Sequence, residues 1–228
     1  MINRILSTAV KFYLRSQVSQ VKDLQVKIVG KNRQILQGYI PQVLLSCDRV
    51  IYQGLHLNQV EVKGANIGFN LPEVLKKKPF QLLEPIVVDV KLSINSADLQ
   101  SSLTSPLLQS GLTDLLRSIP LIQDRAISEI NWQSIAIAAQ RLNLTGIYQD
   151  IENQAQKLYL STGIKLADYH TLDLSPVEIE SVLKFKEFAH SLKIDLGQDV
   201  AIKELVVKSE QILCSGKITI NNLDSTCG

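Results

Sequence analysis

Ile86-Val87-Val88-Asp89-Val90-Lys91-Leu92-Ser93-Ile94 decides the fold. Ile86, Val88, Val90, Leu92 and Ile94 alternate with Val87, Asp89, Lys91 and Ser93. Successive side chains of a strand leave opposite faces, so this pattern is a strand with one face in a core and the other in water. The same period recurs on both sides of it. Upstream, Leu24, Val26 and Ile28 alternate with polar residues. Ile35-Leu36, Val43-Leu44-Leu45, Val50-Ile51-Tyr52 and residues 55–69 follow, punctuated by Gly30, Gly38, Gly54, Gly64 and Gly68. Downstream, strands are predicted at about residues 132–138, 142–148, 158–166, 200–207 and 212–220. Period-two runs separated by Gly and Asn favour an antiparallel meander. The change of parity between Leu55/Leu57 and Val60/Val62 predicts a β-bulge.

Helices are expected at five places. Residues 2–21 read as an amphipathic N-terminal helix, with the unit counted as residues 1–22. On it Arg4, Lys11, Arg15 and Lys22 fall within about 40° of one another, opposite Ile2, Ile5, Leu6, Ala9, Phe12 and Tyr13. Asn70 can cap a short helix, with Glu73 three residues on and Pro79 as its stop. Ser96 is placed to cap a helical turn reaching Leu103, and Ser105-Pro106 opens a better helix that ends at Pro120. Ser175-Pro176-Val177-Glu178 has the form of a capping box, and Ile179, Val182, Leu183, Phe185, Phe188, Ala189 and Leu192 follow at helical spacing. The expected order is helix, many strands, short helices, strands, helix, strands. That is an α+β layout with a large antiparallel sheet, read as one domain over residues 1–228.

Composition narrows the function classes. Hydrophobic residues make up 45% and aromatics only 5%, so the interior is built from Leu, Ile and Val. Such an interior suits a plain aliphatic core or a cavity for acyl chains. A net charge of +2 argues against a dedicated nucleic-acid binder. Cys47, Cys214 and Cys227 are odd in number and form no C-x-x-C pair, which favours a reducing, cytoplasmic setting over a disulfide framework. No apolar run is long enough for a membrane-spanning helix. Lys11 and Arg15 interrupt the N-terminal apolar residues, so no signal-peptide core is predicted.

Catalytic constellations are sparse. G-x-S-x-G, the P-loop, G-x-G-x-x-G and H-E-x-x-H are all absent, so the chain is read as a non-enzyme with no cofactor and no metal. Asp168 with His170 reads as a solvated turn before a metal site, and Glu187 with His190 as a surface pair. Cys47 beside Asp48 has no histidine placed for it and reads as a buried or half-buried thiol. Lys76-Lys77-Lys78 admits two readings: contact with phosphate headgroups, or complement to a helix C-terminus. The N-terminal basic stripe also admits two, an interfacial helix or one packed on the sheet with solvated cations.

The chain resembles cyanobacterial members of the LmeA-like phospholipid-binding family. The likeness rests on Arg4-Ile5-Leu6 leading to Leu14-Arg15-Ser16-Gln17-Val18, and on Ile35-Leu36-Gln37-Gly38-Tyr39-Ile40-Pro41. It continues through Tyr52-Gln53-Gly54-Leu55-His56-Leu57, Leu82-Leu83-Glu84-Pro85, Ala97-Asp98-Leu99, Ser105-Pro106-Leu107-Leu108, Leu196-Gly197 and residues 205–220. The resemblance implies a fold like that of the tubular lipid-binding proteins: a strongly curved antiparallel sheet wrapped around a long helix, with an apolar groove for acyl chains. It implies a phospholipid or other acyl lipid as partner and a protein working at an anionic membrane surface. The residues expected to meet lipid are Ile86, Val88, Val90 and Leu92 with Leu158 and Leu160 on the sheet, and Val182 and Phe185 on the helix. The headgroup side is assigned to Arg4, Lys11, Arg15, Lys22, Lys76, Lys77 and Lys78. A scaffold that binds another protein is the rival reading, and an unrecognised hydrolase is a distant third.

Overall fold

The computed structural model describes residues 2–117, 130–150, 152–181, 186–189 and 191–221. The side chains of residues 2–4, 117, 181 and 186–189 lie outside that description. The described chain is mostly antiparallel sheet with a few helices.

Two sheets organise it. The first has the order β1 (Gln20–Val29), β2 (Tyr39–Tyr52), β3 (Leu55–Gly68), β4 (Ile86–Asn95), β12 (Gln211–Ile220) and β11 (Val200–Val207). The second has the order β10 (Leu192–Asp195), β8 (Thr171–Ser181), β7 (Ala155–Leu166), β6 (Arg141–Gln149) and β5 (Asn131–Ala138), with β9 (Lys186–Ala189) also paired to β8. All pairings are antiparallel. The β2–β3 hairpin turns at Gln53 and Gly54, with φ of 49° and 79°, and β5–β6 turns at Ala139 and Gln140, with φ of 51° and 62°. Two successive positive φ values give the turn whose twist matches the flanking strands.

The helices are short. They are α1 (Ile2–Gln17), α2 (Asn32–Ile35), α3 (Leu71–Leu75), α4 (Ser96–Ser101) and α5 (Pro106–Arg117). Ser105 opens α5 as expected, its Oγ accepting from the Leu108 amide at 3.2 Å. The cap of α4 is Asn95 rather than Ser96, in a capping box with Asp98. Asn70 precedes α3 but spends its side chain elsewhere: Nδ2 donates to Pro79 O at 3.0 Å, and Oδ1 accepts from the Gln81 amide at 2.8 Å.

Several expectations are overturned. The helix expected from Pro176 to about Leu192 is not present among the described residues: residues 171–181 are strand β8 and residues 186–189 are strand β9. No long helix wrapped by a sheet occurs among the described residues. Val177 and Ile179 are buried at 0% and 1% exposure, while their neighbours Glu178 and Glu180 point away from the core. Period two therefore wins over the helical spacing, because β7 supplies a pairing partner for this segment. Val177 faces Thr162 and Ile179 faces Leu160. Ser175 and Pro176 stand opposite the register shift between Thr162 and Ile164, a bulge where the missing Pro N–H does no harm. Ile35-Leu36 is not strand either. Gln34 Oε1 accepts from the Lys31 amide at 3.0 Å and seeds α2. The bulge expected between Leu57 and Val60 is also absent. The β2–β3 ladder keeps one register from Tyr39↔Gly68 to Tyr52↔Leu55 and omits only the pairs at Pro41, opposite Asn66 with a φ of 55°, and at Arg49, whose φ is 51°. Bulges fall instead in β1, β11, β5 and the β7–β8 pair.

Apolar residues gather in two clusters. One holds Leu6 and Val10 of α1 with Ile35, Ile40, Phe69, Phe80, Val88 and Val90. The other joins the second sheet to the far end of the first: Trp132, Leu144, Leu158, Leu160, Val177 and Ile179 pack with Leu99, Leu112 and Ile212. The sheets also meet at an edge, where the Ile202 amide donates to Tyr169 O at 2.7 Å and His170 Nδ1 lies 2.6 Å from Val200 O.

Candidate functional site

α1 lies against one end of the first sheet. Leu6 and Val10 are buried there, with Ala9, Tyr13 and Leu14 at the margin of the same cluster. The Tyr13 ring lies 5.5 Å from that of Phe80, which stacks in turn on Phe69. This fixes which face of α1 looks outward. Lys11 is half-buried and Arg15 exposed; beside them Phe12 is 71% exposed and Ile5 46%. The apolar arc is thus split, one half buried in the core and the other left in water next to the basic ridge. An aromatic ring exposed beside cations is the arrangement of an interfacial helix.

The structure moves one member of the expected stripe. α1 ends at Gln17, and the Ser19 amide already donates to Ile51 O at 2.8 Å. Lys22 therefore lies on β1 opposite Asp48 rather than on the helix. Arg4 lies within α1 by its backbone. Lys76 and Lys78 are both bound to Glu73, at 3.2 and 2.5 Å, and their hydrogen bonds hold its carboxyl below the usual range. Lys77 makes no ion pair among the described residues and has a φ of 61°. The run sits in the loop that carries Phe80, so it shares an end of the molecule with α1. Leu75, at the end of α3, and Leu83, in the same loop, are 52% and 64% exposed. The first 33 residues hold seven of the 24 basic residues and one of the 22 acidic ones.

The expected lipid-facing residues fall in two places. Ile86, Val88 and Val90 are buried in the cluster that holds α1, with Leu92 at its margin. Leu158 and Leu160 are fully buried in the other cluster. Val182 and Phe185 lie outside the described residues. Between the clusters, the apolar face of the first sheet carries a row running Cys47–Val60–Leu92–Cys214–Leu205 across five strands. All five are half-buried. Burial pushes both thiols up, with Asp48 adding to the effect at Cys47.

The opposite face of the same sheet is hollowed into a trough of ≈ 1000 Å³. Its lining runs Glu61-Val62-Lys63, Asp89-Val90-Lys91 and Ser215-Gly216-Lys217. In each triplet the outer two residues share a face, so they project into the trough and the middle one offers main chain. Lys27, Ala201, Lys203 and Tyr169 complete the wall. This is a charged concavity, not the apolar groove that a wrapped helix would leave. Its strand residues come from all six strands of the sheet, and each lysine taken alone reads as the wet side of a strand.

The catalytic candidates are not brought together. Asp168 Oδ1 accepts from the His170 amide at 2.8 Å within the β7–β8 turn, and His170 spends Nδ1 on Val200 O, so this pair works as a clamp between sheets. His190 lies outside the described residues, which leaves the Glu187–His190 pairing without a description. Cys47 Sγ donates to Val60 O. No cluster of His, Cys, Asp or Glu suited to a metal occurs among the described residues, and no described helix is long and apolar enough to cross a membrane.

An antiparallel two-sheet protein with a half-covered apolar face and a cationic, apolar-tipped end is, as a class, an amphiphilic sheet protein. The chain belongs to the LmeA-like phospholipid-binding family, whose model matches residues 1–217. No curated protein and no solved structure matches it.

Proposed function

We propose that this protein is a non-enzymatic phospholipid-binding or lipid-transfer protein that works peripherally on an anionic membrane surface, as one unit. The observation that carries the reading is the outward face of α1, where Phe12 and Ile5 stand in water beside Lys11 and Arg15. An exposed ring of this size is used if it enters the acyl boundary while the cations meet headgroups. Membership of a phospholipid-binding family supports the same reading. Arg4 and Lys77 join the basic set, while Lys76 and Lys78 contribute once their shared partner Glu73 is outcompeted.

Acyl chains are assigned to the apolar face of the first sheet, along the half-buried row of Val60, Leu92 and Leu205. Ile86, Val88 and Val90 would extend that surface as the α1 cluster loosens. Leu158 and Leu160 would do so from the second sheet, and Val182 and Phe185 are proposed as further lipid contacts. The test is native mass spectrometry of gently purified protein together with co-sedimentation on anionic and neutral vesicles. Co-purified phospholipid and salt-sensitive vesicle binding are expected. A co-purified polypeptide with no lipid, and no vesicle binding, overturns the reading in favour of a scaffold.

A further inference from the structure

We infer that the trough on the charged face of the first sheet is a binding site for anions carrying two or more phosphates, and that it selects multiply phosphorylated headgroups over singly charged ones. The inference rests on the phospholipid-binding reading for the source of the ligand but not for its chemistry.

The charge count comes from the lining. Lys27, Lys63, Lys91, Lys203 and Lys217 face Glu61 and Asp89 there. A shallower adjoining hollow of ≈ 290 Å³ adds Glu204. All these side chains are exposed, and among the described residues none of the five lysines makes an ion pair. The strand order explains why. Lys63, Asp89 and Lys217 lie in one cross-strand row, so a single carboxylate stands between two ammonium groups and cannot neutralise both. Lys27 lies on the same row beyond Leu44 and has only that apolar neighbour beside it. Lys203 is the extra residue at the β11 bulge between Ile202 and Glu204, which leaves it without a ladder partner. The concavity therefore holds a surplus of positive charge that the protein itself does not satisfy.

Spacing sets the ligand. Neighbouring strands lie about 4.8 Å apart, so Lys27, Lys63 and Lys217 rise from the row at intervals of about 10 Å. Lysine binds phosphate as a point charge on a flexible stem, so three such stems reach two or more phosphate groups without needing one fixed orientation. A single phosphodiester would neutralise only half of the surplus that the five lysines leave over Glu61, Asp89 and Glu204. The remaining polar lining, Gln25, Ser46 and Ser215, offers hydrogen bonds to hydroxyl or phosphate oxygens.

The test compares wild type, Lys63→Gln/Lys217→Gln and the control Lys157→Gln/Lys193→Gln, whose exposed lysines lie on the second sheet. The first readout is thermal stabilisation at low salt by inorganic tripolyphosphate against monophosphate. Tripolyphosphate should stabilise wild type and the control, and the trough variant far less. The second is co-sedimentation with phosphatidylcholine vesicles doped to equal formal charge with diphosphatidylglycerol or phosphatidylglycerol. Wild type and the control should prefer the two-phosphate lipid by about tenfold, and the trough variant should lose that preference while keeping its binding to phosphatidylglycerol. A tripolyphosphate response equal in all three proteins, or lost equally in both variants, overturns the site. A trough-dependent tripolyphosphate response without any vesicle preference keeps the site and assigns it to a free polyphosphate. Failure of wild type to bind any vesicle would count against the membrane reading alone.

Discussion

Replacing Phe12 by Ser tests the membrane-facing role of α1 in isolation from its packing. A phenylalanine offers about 200 Å² of apolar surface, and Phe12 is 71% exposed, so roughly 140 Å² is available for transfer at about 25 cal/mol per Å². Complete burial would be worth about 3.5 kcal/mol, and half-depth insertion about 1.8 kcal/mol, or some 20-fold in vesicle affinity. The ring lies outside both apolar clusters, so the urea midpoint should move by less than about 0.5 kcal/mol equivalent. Lys11→Gln/Arg15→Gln is the companion. Those charges are worth about 1 kcal/mol each near an anionic leaflet, so the double variant should lose about 30-fold at low salt. The two losses differ in kind. The Phe12 loss should persist when salt is added, whereas the charge loss should vanish as screening shortens the Debye length to about 3 Å near 1 M. Co-sedimentation across salt concentrations reads both. Wild-type binding by Phe12→Ser at every salt concentration would refute the insertion argument, whatever the charge variant does.

Three further outcomes are expected from the fold. Leu158→Ala, at a side chain with 0% exposure, should cost about 2–5 kcal/mol in chemical denaturation, while Leu83→Ala, 64% exposed, should cost less than about 0.5 kcal/mol. Gly216→Val should fail to fold or lose several degrees of melting temperature, because a Cβ there would come 2.3 Å from Ala201 O and 2.8 Å from Ile202 Cα; unchanged melting would mean that β11 and β12 do not pack as described. Asp173 is held below the usual aspartate range, first by the Ser191 hydroxyl and then by Lys165. A depressed native value adds stability that is present above the unfolded range and lost as pH falls through the native one. Denaturation at falling pH should therefore show a smaller acid loss in Asp173→Asn than in wild type, and equal slopes would exclude this carboxylate as a contributor.

The strands that were legible are those whose alternation has one interpretation. β4 and β12 keep apolar residues or Gly at every second position, β11 does so on either side of its bulge, and the expected and observed bounds of all three agree to within a residue or so. Residues 176–181 and 186–189 run as strand despite their helical spacing because the segment satisfies two periods at once. Val177 and Ile179 suit a strand, Ile179 and Val182 a helix, and Ser175 to Glu178 imitates a helix start. What decides is a partner distant in sequence, since β7 presents Thr162 and Leu160 to this segment. A short apolar run cannot announce such a partner. The basic ridge of α1 was legible from its spacing, but Lys22 was not separable from it. A helical wheel does not report that pairing to β2 begins at Ser19. The trough was not legible at all, because its five lysines alternate with core residues on separate strands and become neighbours only through the sheet order.

That order also dictates how the polypeptide must mature as it leaves the ribosome. β4 ends at Asn95, and its outer neighbour β12 begins at Gln211. All five main-path strands of the second sheet fall within the intervening stretch. The second sheet can thus close on itself by short-range hairpins while the N-terminal meander waits with the backbone of β4 unpaired along one side. Loop closure over so long a stretch is slow, and an unpaired apolar edge is where chains adhere to one another. The alternation of Val87, Asp89 and Lys91 along that edge then has a second use: it keeps charge on the waiting strand until its partner is synthesised.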